Sequence, residues 1–153
     1  MNIYDELRKD HVKVKGLMEE LLWLNEKSKD RHALIEKIRD ELIPHSRAEE
    51  AIFYNSIRAL NSANDIIMGG FEDHVGAEAL LRSLQVRDKI DTEWRETAQK
   101  LKDALDKHVN EEETKIFNIA QRLFTDEEAE TLGEAFVKMK PFSSIVCFCF
   151  KLV

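Results

Sequence analysis

The chain has 153 residues, 43% hydrophobic and 35% charged, a balance that describes a soluble globular protein of one domain with room for a substantial core. Its formal charge of −7 argues against a nucleic-acid partner, which would demand a basic stripe, and no run of about 20 apolar residues is present to span a bilayer. Five glycines and two prolines are too few for a turn-rich all-β chain, so the expectation is an all-α fold. The opening "MNIYDELRKD" lacks a basic segment followed by an apolar run, which points to the cytoplasm.

In chain order, the first helix is expected over residues 3–26, with Leu7, Val14, Met18 and Leu21 on its apolar stripe. "KSKD" breaks the pattern, and a second helix follows over residues 31–60. Its core phase reads Leu34, Ile38, Leu42, His45, Glu49, Ile52, Ser56 and Leu60, with Pro44 inside it. Pro44 predicts either a local kink that aims His45 or a join between two helical segments. After the polar "NSAND" a third helix is expected over residues 65–87, with Phe71, His74 and Leu81 in phase. The fourth starts near "IDTEW" and runs to Phe124, its stripe being Trp94, Ala98, Leu101, Leu105, His108, Glu112, Ile116, Ile119 and Leu123. Thr125 to Glu128 has the form of a capping box, predicting a short fifth helix over residues 126–139. Short connections between long helices favour antiparallel neighbours, hence an up-down-up-down four-helix bundle with a short fifth helix. Residues 1–140 form the expected domain, and the apolar "PFSSIVCFCFKLV" of 141–153, with Cys147 and Cys149, is left as a tail without an assigned role.

The sequence repeats itself. Asp10-His11 recurs as Asp73-His74, and His45, Glu49 and Glu50 recur as His108, Glu112 and Glu113, all at one common offset. Helical phase places His11, His45, His74, His108, Glu49 and Glu112 on inward faces, where an unpaired carboxylate costs several kcal/mol. A histidine and a glutamate at i and i+4 share one face and can reach a common point. At ~1.5 Å per residue the histidines of each helix pair also lie at similar heights from their connecting turn. Six donors thus converge on one layer, and a metal centre satisfies them. Four imidazoles and two carboxylates exceed the needs of one tetrahedral zinc and suit two first-row ions, iron before manganese.

The motifs "DH", "HSRAEE", "EDH" and "HVNEEE" on four successive helices resemble those of hemerythrin-like, or HHE cation-binding, domains. The resemblance implies a non-heme di-iron centre, with iron ahead of manganese or zinc, in which carboxylate and oxo or hydroxo groups bridge the ions. Glu49 and Glu112 would bridge, and His11, His45, His74 and His108 would cap. Glu78 stands where oxygen-carrying hemerythrins have a further histidine, and Glu112 stands one residue earlier than their aspartate. Reversible oxygen carriage is therefore not the expectation. The resemblance implies instead a protein that binds or reduces a small diatomic or peroxide, O₂, H₂O₂ or NO, or a non-enzymatic iron or oxygen sensor whose bundle is ordered by metal.

Other polar residues divide between roles. Glu78 fits either a seventh ligand or a surface charge, because Ala77 also suits the core phase. Glu50 and Glu113 lie about 100° off the ligand face, as solvated charges or as acceptors for a ligand N–H. His32, ~20 Å along the helix from His45, reads as a non-ligand. Tyr4 and Tyr54 read as packing residues that could also lie near the metals.

Overall fold

The computed structural model describes residues 1–60 and 63–149, with residues 142–149 as backbone alone. Its elements are helical throughout the described residues. Helix α1 is Ile3–Leu22; α2 comprises Arg31–Glu49, a π-helical turn Glu50–Tyr54 and Asn55–Ala59. Helix α3 is Asn64–Gln85; α4 comprises Thr92–Glu111, a second π turn Glu112–Ile116 and Phe117–Leu123; α5 is Asp126–Cys149.

Local chemistry starts the helices. Asn2 accepts from the Asp5 amide to cap α1, and Asp91 accepts from the Trp94 amide to cap α4. The expected capping box is present at α5: the Thr125 amide donates to Glu128 and the Glu128 amide to Thr125 Oγ1. Helix α5 then continues to Cys149 rather than stopping near Met139, so Pro141 lies inside it. What the tail's side chains from residue 142 onward do lies outside the described residues.

Helices α1 to α4 pack in a ring, α1 on α2 and α4, α3 on α2 and α4, while α5 lies along α1 and α2. Two hydrophobic clusters fill the ring. One, with Leu21, Ile35, Leu84 and Trp94, lies toward the α1–α2 and α3–α4 turns; the other, with Ile3, Phe53, Ile67, Phe117 and Phe136, lies at the opposite end. Between them runs the layer that holds the histidines.

The α-helical part of α2 passes through Pro44 without a break, so neither a join at the proline nor a second segment starting there is found. The irregularity comes six residues later, at Glu50, and recurs at Glu112. A π turn holds one residue more than an α turn, so the buried stripe slips by one position beyond it. Phe53, Tyr54 and Ile57 are buried in place of the expected Ser56 and Leu60, and Leu60 is 51% exposed. In α4, Phe117 and Ala120 are buried where Ile119 and Leu123 were expected.

Candidate metal centre

Each helix of the ring brings one histidine to the middle layer, and α2 and α4 add a glutamate four residues on. All six side chains are buried: His11, His45 and His74 at 4% exposure, His108 at 6%, Glu49 and Glu112 at 0%. The structure thus brings together the whole expected set. His11, His45 and Glu49 present donor atoms within 4.8 Å of one another, and so do Glu49, His74 and His108. The rings pair within each half, His11 with His45 at 5.1 Å between centroids and His74 with His108 at 4.7 Å.

The carboxylates lie between the pairs. Glu49 Oε1 is 3.7 Å from His45 Nε2 and its Oε2 is 3.0 Å from His74 Nε2. Glu112 Oε2 is 3.2 Å from His11 Nε2 and 3.7 Å from His108 Nε2. Each carboxylate therefore faces one imidazole from either half.

The outer nitrogen of every ring is held. His45 Nδ1 bonds Asp10 at 3.0 Å and His108 Nδ1 bonds Asp73 at 3.2 Å, within each half. His11 Nδ1 bonds Glu113 at 2.7 Å and His74 Nδ1 bonds Glu50 at 2.8 Å, across the halves. An imidazole that donates Nδ1–H to a carboxylate presents an Nε2 lone pair inward, the tautomer a metal ligand needs. Glu50 and Glu113 are thus acceptors for the rings. Asp10 and Asp73 carry only one sequence signal for this role, their place in the repeat one residue before each histidine.

Charge makes the same demand. None of the four oxygens of Glu49 and Glu112 receives a hydrogen bond of acceptable geometry. Judged from the protein groups alone, burial and then the facing charge of Glu112 push the Glu49 carboxyl well above its ordinary range. Burial opposes the Glu112 charge too, but the close approach of His11, 3.2 Å away, and of Glu49 holds that group below the usual carboxylate range. His11, against the cost of burial, is raised to about 9 by its contact with Glu112. His45 is lowered to about 4 by burial, with the His11 charge adding to the effect. Two neighbouring buried carboxylates without aligned donors are costly unless a cation lies among them, and the donor set fits first-row metals.

Glu78 does not join these groups. It takes a two-pronged ion pair from Arg47, at 2.9 Å on each oxygen. His32 lies against Arg31, away from the layer. Tyr54 is buried and stacked on His74, centroids 5.6 Å apart at 5°, with its hydroxyl unpartnered. Burial and then the Glu49 charge push that phenol well above its ordinary range. On the turn side of the layer a cavity of about 20 Å³ touches all four histidines, with Val14, Leu42, Ala77 and Leu105 among its apolar lining and Lys15, Ser46 and Asp73 among its polar lining. That volume holds roughly one water-sized molecule.

A four-helix ring that converges imidazoles and carboxylates on one buried layer belongs to the class of bundles that hold cations. The chain is a member of the hemerythrin HHE cation-binding domain family, whose model matches residues 2–120. It is similar to "Uncharacterized protein Rv2633c" of Mycobacterium tuberculosis, 30% identical over 139 residues, covering 88% of this chain and 82% of that protein. It also resembles the crystal structure of a hemerythrin HHE cation-binding domain-containing protein from Mycobacterium kansasii, described as an Rv2633c homolog. That likeness has a TM-score of 0.82 at 25% identity and covers 99% of this chain and 93% of the other. A DNA nickase of Nostoc sp. is 26% identical over 140 residues, 92% of this chain, but the chain spans only 39% of the nickase. No helix among the described residues is long and apolar enough to cross a membrane.

Proposed function

We propose that this chain holds two iron ions in its middle layer and binds or reduces a small oxidant, O₂, H₂O₂ or NO. His11 and His45 would hold one ion, His74 and His108 the other, and Glu49 and Glu112 would bridge them. The observation that carries the reading is the pair of fully buried, unpartnered carboxylates, each between imidazoles of both halves. When bound, the iron pair would supply the electrons and an open coordination position for the oxidant.

The chain's own residues do the rest. Asp10, Asp73, Glu50 and Glu113 fix each ring's orientation and keep its proton on Nδ1. Val14, Leu42, Ala77 and Leu105 supply apolar lining to the adjoining cavity, whose size admits only a very small molecule. Purification in air followed by metal analysis, near-ultraviolet absorption and stopped-flow mixing with O₂, H₂O₂ and NO tests the reading. An iron-free protein whose stability ignores His45→Ala and His108→Ala overturns it.

The same carboxylates support a second reading, a non-enzymatic iron or oxygen sensor whose bundle is ordered by metal, because their burial cost is relieved only when a cation binds. A large gain in helicity or protease resistance on adding iron, with no turnover of peroxide or NO, marks that case.

A further inference from the structure

The repeat relates the α1–α2 pair to the α3–α4 pair and so predicts two equivalent grooves beside the metal layer. The structure makes them unequal. The groove along α1 and α2, about 450 Å³, is lined by Asp10 and Pro44 and, from α5, by Phe136, Val137 and Lys140. The corresponding cleft along α3 and α4, about 330 Å³, passes Gly70 and Asp73, the repeat partner of Asp10, and reaches His108 and Glu112. Among the described residues, none of α5 lines it.

Helix α5 therefore treats two equivalent carboxylates differently. Asp10 uses both oxygens: Oδ2 accepts from His45 Nδ1 at 3.0 Å, and Oδ1 accepts from Lys140 Nζ at 2.8 Å. Its side chain is 9% exposed. Asp73 accepts from His108 at 3.2 Å and its side chain is 34% exposed; among the described residues no lysine or arginine comes within 4 Å of it, Lys107 acting on its charge only from farther off. Phe136, 1% exposed, also sets its ring edge-to-face with His45, centroids 5.7 Å apart. Lys140 lies beyond residues 2–120, the part of the chain that matches the family model.

We propose that Lys140 is a positioning residue that, through Asp10, locks His45, so that the ion at His11 and His45 exchanges slowly and the ion at His74 and His108 exchanges quickly through the α3–α4 cleft. The proposal rests on the two-ion reading above. Release of a metal requires its ligands to swing away. A carboxylate held at both oxygens cannot rotate to follow its histidine, whereas Asp73, held at one and open to water, can. The charge-assisted bond from Lys140 is the stronger kind of hydrogen bond, and Asp10 itself is largely removed from water.

The test uses the full chain loaded anaerobically with two equivalents of iron(II) and then challenged with a ferrous chelator. Release should be biphasic, one ion in each phase. Lys140→Met keeps the stem and removes the ammonium; it should quicken the slow phase and leave the fast one alone. Asp10→Asn should quicken the slow phase about 10-fold or more, the usual effect of losing a carboxylate behind a ligating histidine. Lys140→Met should add nothing in the Asp10→Asn background, and Lys140→Arg should restore the slow phase. Asp73→Asn should quicken only the fast phase, which keeps the proposal testable if Lys140→Met fails to fold. Mössbauer spectra of the ⁵⁷Fe-loaded protein should show two doublets, of which Lys140→Met moves one. Two ions leaving at one rate, or a slow phase that ignores both Lys140→Met and Asp10→Asn, overturns the proposal while leaving the two-ion reading intact. Uptake of fewer than two ions by the unaltered chain overturns that reading and the proposal with it.

Discussion

The Nε2 atoms of His74 and His108 lie 3.2 Å apart, and the Nδ1 of each ring is bonded to a carboxylate, Glu50 and Asp73 respectively. Two neutral imidazoles that both donate through Nδ1 bring two lone pairs face to face. A hydrogen bond between them requires one ring to be doubly protonated, whereas a metal ion satisfies both at once. Removing either ring should therefore cost metal. His108→Ala, and likewise His45→Ala in the other half, should bind one ion fewer or lose well over about 10-fold in affinity, since even an outer partner of a ligand is worth 10–100-fold. His32→Ala should bind as the unaltered chain does. Elemental analysis with calorimetric titration reads all three, and unchanged binding by both core variants counts against the site.

Glu49 should be a burden on the metal-free protein. It is fully buried, without an aligned hydrogen-bond donor, beside a second carboxylate. In the presence of a chelator, Glu49→Gln should raise stability by about 1 kcal/mol or more, as replacements of buried charge by neutral groups of like size often do. With iron, the unaltered chain should gain stability by mass action, about 2.7 kcal/mol at 100 times the dissociation constant, and the variant should gain less. Thermal melts with and without iron give both signs. A variant that is destabilised in chelator and stabilised equally by iron contradicts the assignment.

Two adjacent glycines should respond in opposite directions. A methyl group on Gly70 would sit 2.7 Å from the Tyr54 ring, while one on Gly69 meets nothing within 4 Å. Tyr54 is stacked on His74 and cannot retreat freely. Gly70→Ala should therefore destabilise by about 1–3 kcal/mol through overpacking and disturb metal uptake at His74. Gly69→Ala, in the same helix, should stabilise by roughly 0.5–1 kcal/mol through helix propensity. Equal effects in denaturant melts would show that the ring is not what Gly70 accommodates.

The cavity offers a test that separates reactivity from metal binding. Ala77 is buried and lines the cavity but holds no metal-facing donor. Ala77→Val adds two methyl groups to a space of about 20 Å³. Iron content should persist while stopped-flow rates with O₂, H₂O₂ or NO fall. Undiminished rates place the oxidant's approach elsewhere, the α3–α4 cleft being the other route to the layer.

The repeat made much of the site legible in the chain itself. Four histidines and two glutamates stand in helical phase with apolar neighbours, and phase is a property of a single helix that needs no knowledge of its partners. The capping box at Thr125 is likewise local and is present as read. The π turns were not legible, because nothing in "EAIFY" or "EETKI" distinguishes an α from a π turn before the side chains meet. Their consequence is the one-residue slip that buries Tyr54 against His74 and leaves Leu60 in water.

What sequence alone determined, then, is the number of helices, their faces as far as the π turns, and the set of side chains aimed at the middle layer, since periodicity and repetition are written along the chain. Only the tertiary structure decided who pairs with whom. His11 takes Glu113 and His74 takes Glu50, each from the opposite half, and Glu78 is claimed by Arg47 instead of the metal layer. Helix α5 lines one of two equivalent grooves, giving Asp10 a bonded lysine where Asp73 has only Lys107 at a distance. These choices depend on distances between helices that are remote in sequence, and a helical pattern fixes direction from its own axis but not which neighbour stands there.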